Sequence, residues 1–208
     1  AFYENKITHE YFASLKKRPF VLPRSSFMGM NRYTSHWLGD DWSDYNNMTR
    51  TIAGIFNAQM YGFNLVGADI CGLLNDTTDE LCARWTALGS FYPFSRNHNN
   101  KTAIDQEPYN LGDKTLSSAK KNIRIRYSLL RYFYTQMYLN SIKGGVFFQP
   151  MAFQFSDVEE FVENDKILNE QIMLGEHILF TPILTEEEND VEFAFPNSNW
   201  NKFLNGEI

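Results

Sequence analysis

Six side chains with chemical potential lie close together in the first fifth of the chain. They are Arg24, Arg32, His36, Trp37, Asp40 and Asp41. They follow a short apolar run, Phe20–Leu22, which we predict to be a strand closed by Pro23. Polar and aromatic groups just past the C-terminal end of a strand are typical of the active face of a barrel enzyme. This stretch is therefore predicted to be a functional loop.

Proton transfer is the chemistry that these residue types suggest. A general acid must keep its proton near the working pH, which requires burial or a neighbouring negative charge. Asp40 has Trp37 and Asp41 close by in sequence, so both influences are available to it. From spacing alone, however, a solvated aspartate in a Gly-Asp turn is the more common explanation. Arg24 equally suits a surface ion pair, and Trp37 equally suits core packing.

Other reaction and partner classes find little support. The four histidines and two cysteines show no H-x₃-H or C-x₂-C spacing, and no G-x-S-x-G occurs. We therefore predict no metal, no cofactor and no serine nucleophile. The net charge of −6 and the scattered Lys and Arg residues argue against nucleic acid as a partner. No apolar run reaches the roughly 18 residues that a membrane span needs, so no membrane segment is predicted in this chain.

The hydrophobic pattern predicts strands that alternate with helices. The first and last predicted helices are Thr8–Lys17 and Ser117–Ile142. A second helix is predicted to begin at the cap Ser43, with Asp44 in its first turn, and to end at Gly62. A third begins with a Thr77/Glu80 capping box and runs to about Leu88. The helix Ser117–Ile142 carries an apolar stripe of Ile123, Tyr127, Leu130, Tyr134, Met137 and Tyr138. Besides the first, the predicted strands are Phe63–Ala68, Ser90–Phe94, Val146–Gln149, Ile178–Leu184 and Val191–Phe195, with loops at 69–76 and 95–113.

Four strands that alternate with helices indicate parallel βαβ units, and hence an α/β fold. A closed (β/α)₈ barrel needs eight strands and typically about 250 residues. The 208 residues of this chain suffice for about half of such a barrel and for the start of an all-β module.

Four sequence blocks occur in an order that resembles a known family. They are RPFVLPRSSF…HWLGD from residue 18, NLVGADICG from 64, ELCARWTALGSFYPFSRNHN from 80, and QEPY from 106. The set closely resembles the glycoside hydrolase family 31 α-glucosidases, in the branch of acid maltase, sucrase-isomaltase and maltase-glucoamylase. The resemblance implies that residues 1–155 form the C-terminal half of a (β/α)₈ TIM barrel. Residues 156–208 would then begin the C-terminal β-sandwich domain.

The resemblance also implies roles for individual residues. Asp40 would be the general acid/base of a retaining hydrolase, which uses a second carboxylate as nucleophile. The substrate-binding residues would be Arg24, Trp37, Asp69, Arg96 and His98. The family nucleophile lies on the strand before this chain begins, in a W-x-D-x-N-type motif, whereas the one match to that pattern here, Trp42–Asn46, follows Asp40. We therefore expect the chain to lack the N-terminal half of the same polypeptide and to be inactive alone.

Further implications concern covalent features and location. The resemblance implies a disulfide between Cys71 and Cys82. Three N-x-[ST] sequons, at Asn47, Asn75 and Asn100, give weak support for glycosylation. Together these features predict the secretory pathway, with a lysosomal or extracellular destination. Two departures from the family pattern, Leu73 after the CG of GADICG and the Gln149-Pro150 pair, affect the expected shape of the subsites.

The predicted function is that of an exo-acting α-glucosidase. It would release terminal α-1,4-linked glucose from α-glucoside oligosaccharides such as maltose. A catalytically silent carbohydrate-binding homologue is one alternative, and an α-xylosidase or α-glucan lyase on the same scaffold is another.

Overall fold

A computed structural model describes residues 1–186 and 188–203. Its helices are α1 (Phe2–Ser14), α2 (Tyr45–Met60), α3 (Asp79–Gly89), α4 (Pro108–Leu111), α5 (Asp113–Lys143), α6 (Glu159–Glu163) and α7 (Asp165–Glu170). Its strands are β1 (His36–Trp37), β2 (Val66–Gly67), β3 (Asp69–Ile70), β4 (Arg96–Asn97), β5 (Phe148–Pro150), β6 (Ile172–Leu174) and β7 (Ile178–Phe180). Short 3₁₀ turns occupy Met30–Arg32 and Met151–Phe153.

The strands that lie nearest the predicted site are short and parallel. Strand β1 pairs with β2, and β3 pairs with β4. The helices α2 and α3 connect successive strands, as in βαβ units. This arrangement agrees with the predicted α/β architecture. It also brings the ends of separate strands, and the loops that follow them, to one side of the structure.

The prediction of a first strand at Phe20–Leu22 is wrong, because those residues form no strand. Pro19 and Pro23 flank the run and donate no backbone hydrogen bond. Its backbone tie to the fold is the carbonyl of Val21, which accepts from the amide of Ser35 at 2.8 Å. The first strand of the chain is His36–Trp37 instead.

The prediction of a strand at Ser90–Phe94 is also wrong. These residues form turns directly after α3, and the strand follows as Arg96–Asn97. Arg126 of α5 stabilises the turns by donating to the carbonyls of Ser90 and Tyr92 at 2.7 and 2.6 Å. The predicted Phe63–Ala68 strand shrinks to Val66–Gly67, and Asp69, expected in a loop, begins β3.

Both helix caps lie one residue later than predicted. Asp44, not Ser43, caps α2, since its side chain accepts the amide of Asn47 at 2.7 Å. Thr78, not Thr77, caps α3 by accepting the amide of Leu81 at 3.2 Å. The first helix is shifted as well, since it spans 2–14. None of its side chains is buried.

The long helix α5 starts earlier than predicted, and of the six residues in its predicted apolar stripe, Met137 alone packs against the core. Its stripe is largely exposed, with Ile123, Tyr127, Leu130, Tyr134 and Tyr138 all on the outside. The buried residues of the helix are Thr115, Ala119, Ile125 and Phe133. Thr115 explains the choice of face, because its amide and its hydroxyl bond to Asp79 of α3 at 2.8 Å each. Two polar anchors therefore decide an orientation that the apolar pattern alone assigned incorrectly.

The last part of the chain contains an antiparallel sheet. Strand β6 lies between β5 and β7 and pairs antiparallel with both. The prediction of a parallel barrel strand at Val146–Gln149 is therefore incorrect in direction. Strand β6 was not predicted, and the expected strand at Val191–Phe195 does not form. The predicted boundary at residue 155 would separate β5 from the two strands to which it belongs.

The main core lies between α2, α3 and the strands. It is filled by large side chains with no exposed surface, among them Ile52, Trp85, Leu88, Tyr92 and Phe148. A second, smaller core under the antiparallel sheet contains Met151, Phe161 and Met173. No helix within the described ranges is long and apolar enough to cross a membrane.

One buried polar side chain connects the end of α2 to the start of β5. Gln59, at the end of α2, has an Oε1 atom that accepts from the amides of Phe147 and Phe148 at 2.7 and 2.9 Å. Its Nε2 donates to the carbonyl of Asn64 at 3.2 Å. We expect Gln59→Leu to destabilise the fold by about 3 kcal/mol, because two buried amides lose their acceptor. Chemical denaturation measures this.

The matched control is Asn57→Leu, on the exposed face of the same helix. Its effect should stay within about 0.5 kcal/mol. Equal losses in the two variants would contradict the role assigned to Gln59.

Candidate active site

The predicted site residues come from the ends of different strands. Trp37 ends β1, Asp69 begins β3 and Arg96 begins β4. Asp69 and Arg96 are direct register partners in the parallel pair. Because adjacent residues of a strand point to opposite faces, this register places the two side chains on the same face. The sequence brings together residues that are 27 positions apart.

The carboxylate of Asp69 forms an ion pair with Arg96. Asp69 has no exposed surface, and its Oδ1 accepts from Nε of Arg96 at 3.1 Å and also from Nη2. Burial raises the pKa of Asp69, while the hydrogen bonds and charge of Arg96 act in the opposite direction. The guanidinium also lies over the ring of Trp37, 5.3 Å from its centroid. Arg96 thus links β1, β3 and β4 at the site.

Asp40 pairs with the other predicted arginine. Its Oδ2 lies 3.8 Å from Nη1 of Arg24, and the two side chains are 45% and 60% exposed. Gly39 makes this approach possible, because a Cβ at that position would overlap the guanidinium of Arg24. The same glycine has a φ of +101°, which other residues rarely adopt. Gly39 therefore allows Asp40 to pair with an arginine that lies 16 positions earlier in the sequence.

The burial expected at Asp40 is found instead at Asp41. Burial above all, together with the negative charges of Asp69, Asp40 and Asp44 and against the opposing charge of Arg24, raises the pKa of Asp41 to about 6. The backbone holds this residue firmly, since its carbonyl accepts from the amides of Leu73 and Leu74 at 2.8 and 3.0 Å. Sequence reasoning treated Asp41 only as a neighbour. The Asp-Asp doublet was the signal for a second site carboxyl.

The two histidines of the predicted site differ in their surroundings. His98 is exposed, but its charge lowers the pKa of Asp69, so it belongs to the same electrostatic group. Its backbone carbonyl accepts from Nε2 of Gln106 at 3.0 Å. His36 is half-buried, and burial lowers its pKa while its Nδ1 contacts the carbonyl of Pro23 at 3.2 Å. Of the two, His98 is the one that a ligand can reach.

Three polar atoms in this region are buried without a hydrogen-bond partner among the described residues. They are Nε1 of Trp37, Oδ2 of Asp41 and Oδ2 of Asp69. Buried polar groups are normally paired, and exceptions often mark a ligand or water site. One donor and two carboxyl oxygens suit a ligand rich in hydroxyl groups, because a hydroxyl both donates and accepts.

A disulfide fixes the loop that follows β3. It joins Cys71 to Cys82 of α3, as the resemblance implied, with a Cα–Cα distance of 4.7 Å. Cys71 lies two residues after Asp69 and has a positive φ of 75°. The covalent bond therefore restrains the backbone beside the buried carboxylate. In the described part of the chain, no cluster of three His, Cys, Asp or Glu side chains is arranged to hold a metal ion.

Two of the three sequon asparagines share a surface cleft. Asn75 and Asn100 line an open cleft of about 550 Å³, together with the exposed ring of Trp42. Asn47 is different, because its Nδ2 donates to both carboxylate oxygens of Asp44 at the start of α2. A glycan on Nδ2 of Asn47 would compete with these side-chain hydrogen bonds to Asp44. Asn75 is the most exposed of the three acceptors.

Comparison with known proteins gives two family matches. Residues 1–136 match the glycosyl hydrolases family 31 TIM-barrel domain, and residues 144–208 match the glycosyl hydrolase family 31 C-terminal domain. The α-glucosidase of Mucor javanicus is 41% identical over 207 residues, which are 99% of this chain and 23% of that protein. The lysosomal α-glucosidase of Rattus norvegicus is 39% identical over 88% of this chain and 19% of its own length.

Solved structures give the same picture. A glucosidase II heterodimer of the endoplasmic reticulum is similar with a TM-score of 0.80 and 30% identity, over 87% of this chain and 19% of that one. A Flavobacterium johnsoniae dextranase complexed with glucose has a TM-score of 0.83 at 26% identity, over 90% of this chain and 24% of its own. The chain spans about a fifth of the length of the curated relatives it matches. The matches agree with a partial TIM barrel followed by a β domain.

The Asp69–Arg96 pair allows a direct test of the site's construction. We expect Arg96→Met to destabilise the fold by about 3 kcal/mol at pH 7, because the carboxylate of Asp69 is left buried without its cation. The loss should shrink as the pH falls toward 4. A buried carboxyl without a cation has a raised pKa in the folded state, and taking up a proton then removes the penalty. Denaturant unfolding at several pH values measures this.

The double variant Asp69→Asn/Arg96→Met is the control. It should be more stable at pH 7 than Arg96→Met alone, since no charge remains buried. Additive losses from the two substitutions would show that the pair does not act as a unit.

Proposed function

Since this chain belongs to glycoside hydrolase family 31, we propose that it supplies the general acid/base half of a retaining α-glucosidase site. Asp40 is the acid/base in this proposal. It first protonates the glycosidic oxygen of the leaving group and later, as a base, activates the water that releases the sugar. The observation that carries the proposal is that Asp40, paired with Arg24, interacts electrostatically with Asp69, whose partner Arg96 lies over Trp37.

The remaining side chains bind the sugar in this proposal. Arg96 uses Oδ1 of Asp69, and Oδ2, which has no hydrogen-bond partner among the described residues, accepts from a sugar hydroxyl in this proposal. The ring of Trp37 forms a wall of the subsite, and its Nε1 donates to the ligand. The guanidinium of Arg24 presents several donors beside the acid/base, and exposed His98 supplies a further polar contact.

The nucleophile must come from a second carboxylate. In the family it lies upstream of the acid/base, in a W-x-D-x-N-type motif. The match to that pattern at Trp42–Asn46 lies downstream of Asp40, and its Asp44 caps α2. The substrates proposed are terminal α-1,4-linked glucosides such as maltose, since the relatives include α-glucosidases. A secretory location is proposed because disulfides persist in oxidising compartments and several relatives are lysosomal. Assays on maltose, isomaltose and xylosides of the complete protein distinguish these substrates.

We expect Asp40→Asn in the complete protein to lower kcat/KM on maltose by about 10³-fold or more, because the leaving oxygen loses its proton donor. Substrates with activated leaving groups should retain partial turnover, since they need little protonation. The fold should be unaffected, because the side chain is nearly half exposed. Steady-state kinetics with maltose and an aryl glucoside measure both effects.

The control is Asp165→Asn, which removes an exposed carboxylate from α7. Its kinetics should equal those of the wild type. Near-normal maltose hydrolysis by Asp40→Asn would remove Asp40 from the proposed role. A wild-type protein that binds maltose without turnover would instead support a carbohydrate-binding homologue.

A second prediction concerns the close contact between Gly39 and the guanidinium of Arg24. Gly39→Ala should reduce kcat/KM by about 10²-fold, because the new methyl group displaces the guanidinium of Arg24 and misplaced site groups cost about this much. Gly29→Ala is a matched control, with a φ of +90° and open space around the added carbon. Both variants carry similar backbone strain, so both should lose similar thermal stability. Equal activities in the two would contradict a role for the Gly39–Arg24 contact.

A further inference from the structure

The sequence block QEPY begins with a buried amide that the proposed function does not use. This residue, Gln106, is 3% exposed although it lies in the loop between β4 and α4. Its Nε2 donates to the backbone carbonyl of His98 at 3.0 Å and to Oδ1 of Asn97 at 3.1 Å. If the amide were reversed, its oxygen would lie against these two acceptors, so its donor side must face His98.

Asn97 and Gln106 form a reciprocal amide pair. Nδ2 of Asn97 donates to the backbone carbonyl of Gln106 at 3.0 Å, so each residue both donates to the other and accepts from it. The same Nδ2 lies 3.9 Å from Sγ of Cys71, which forms the disulfide with α3. The Asn97–Gln106 amide pair therefore joins both ends of the loop 97–106 to the restrained backbone after β3.

The amide pair lies on the opposite side of β4 from the ion pair of the site. Successive side chains of an extended strand alternate between its two faces. Arg96 lies on the face of Asp69, whereas Asn97 lies on the face of the disulfide. His98 is next in the chain, and its charge acts on Asp69, in agreement with a return to the side of Arg96. The amide pair thus holds the backbone of His98 from the face opposite the site.

We propose that Gln106 is a positioning residue that holds the backbone of His98 so that the imidazole contacts the terminal glucose unit. The inference rests on the proposed function, in which His98 contacts the sugar. Binding through an exposed side chain on a loop carries the cost of ordering both the side chain and the loop. Hydrogen bonds from one buried Nε2 to His98 and to the residue before it reduce the backbone part of that cost before the ligand arrives.

The test is a double-mutant cycle between Gln106 and His98 in the complete protein. Gln106→Met removes the donor with little change in side-chain volume. It should lower kcat/KM on maltose about fivefold, and His98→Ala should lower it about tenfold, which corresponds to about one hydrogen bond. In the His98→Ala background, Gln106→Met should cost less than about twofold, because no imidazole is left to position. A fivefold loss in both backgrounds, or no loss in either, would overturn the inference.

Gln171→Met is the matched control. Gln171 is also buried, and its Nε2 donates to the backbone carbonyl of Ala194 at 2.6 Å. It precedes β6, in the antiparallel part of the chain. The control should lose as much melting temperature as Gln106→Met, yet keep kcat/KM on maltose within about twofold of the wild type. Equal kinetic losses in the two variants would assign the effect to general destabilisation and overturn the role of Gln106.

Asn97→Ala tests the same amide pair from its exposed member, in case Gln106→Met does not fold. It removes the donor to the carbonyl of Gln106 and one acceptor of Nε2, without adding a charge. Its loss of kcat/KM should also disappear in the His98→Ala background. A loss that persists there would contradict positioning through His98.

A second readout does not depend on turnover. Titration calorimetry with glucose should show a Kd about fivefold higher in Gln106→Met than in the wild type, and no such difference once His98 is replaced by alanine. If the wild type binds glucose but does not hydrolyse maltose, the proposed function fails, and this cycle still decides the inference. An unchanged Kd in Gln106→Met would overturn the inference even where maltose hydrolysis leaves the proposed function intact.

Discussion

The buried ion pair between Asp69 and Arg96 is the interaction on which the rest of the site depends. A carboxylate without exposed surface is costly unless a cation and hydrogen bonds compensate for the lost water. Here the cation comes from the neighbouring parallel strand at the direct register position. Because the register of a parallel pair is fixed by its hydrogen bonds, β3 and β4 cannot slip without leaving this charge unpaired. The pair therefore fixes both strand ends at once.

Other features of the site depend on that position. The guanidinium of Arg96 lies over Trp37, and the disulfide from Cys71 restrains the loop that follows Asp69. That loop in turn supplies the amides that hold Asp41, and Asp41 follows the proposed acid/base. A chain of specific contacts thus runs from the centre of the parallel strands to the exposed carboxyl of Asp40. The exposed carboxyl of Asp40 is thus linked to the most buried carboxyl of the site.

Sequence motifs predicted the family and the disulfide of this chain better than its local structure. The α/β alternation, the disulfide and the family were all evident from ordered motifs with unusual residue types. The predicted strand at Phe20–Leu22 does not form, because the two flanking prolines cannot donate backbone hydrogen bonds. The apolar pattern of the run gives no sign of this. The buried face of α5 was predicted wrongly because Thr115 and Arg126 bind α3 and the turns that follow it. Those partners are more than 30 residues away, and no local pattern identifies them.

The proposed role of Asp40 can be tested most directly by chemical rescue. In a retaining mechanism, removal of the acid/base side chain leaves the sugar attached to the nucleophile without a base to activate water. A small anion such as azide needs no base and can enter at the vacated position. For Asp40→Ala in the complete protein, with an activated aryl α-glucoside, the account predicts that azide restores turnover and yields the α-glucosyl azide, with retained configuration. Recovery of the β-glucosyl azide would identify Asp40 as the nucleophile and contradict the account, as would the absence of any rescue.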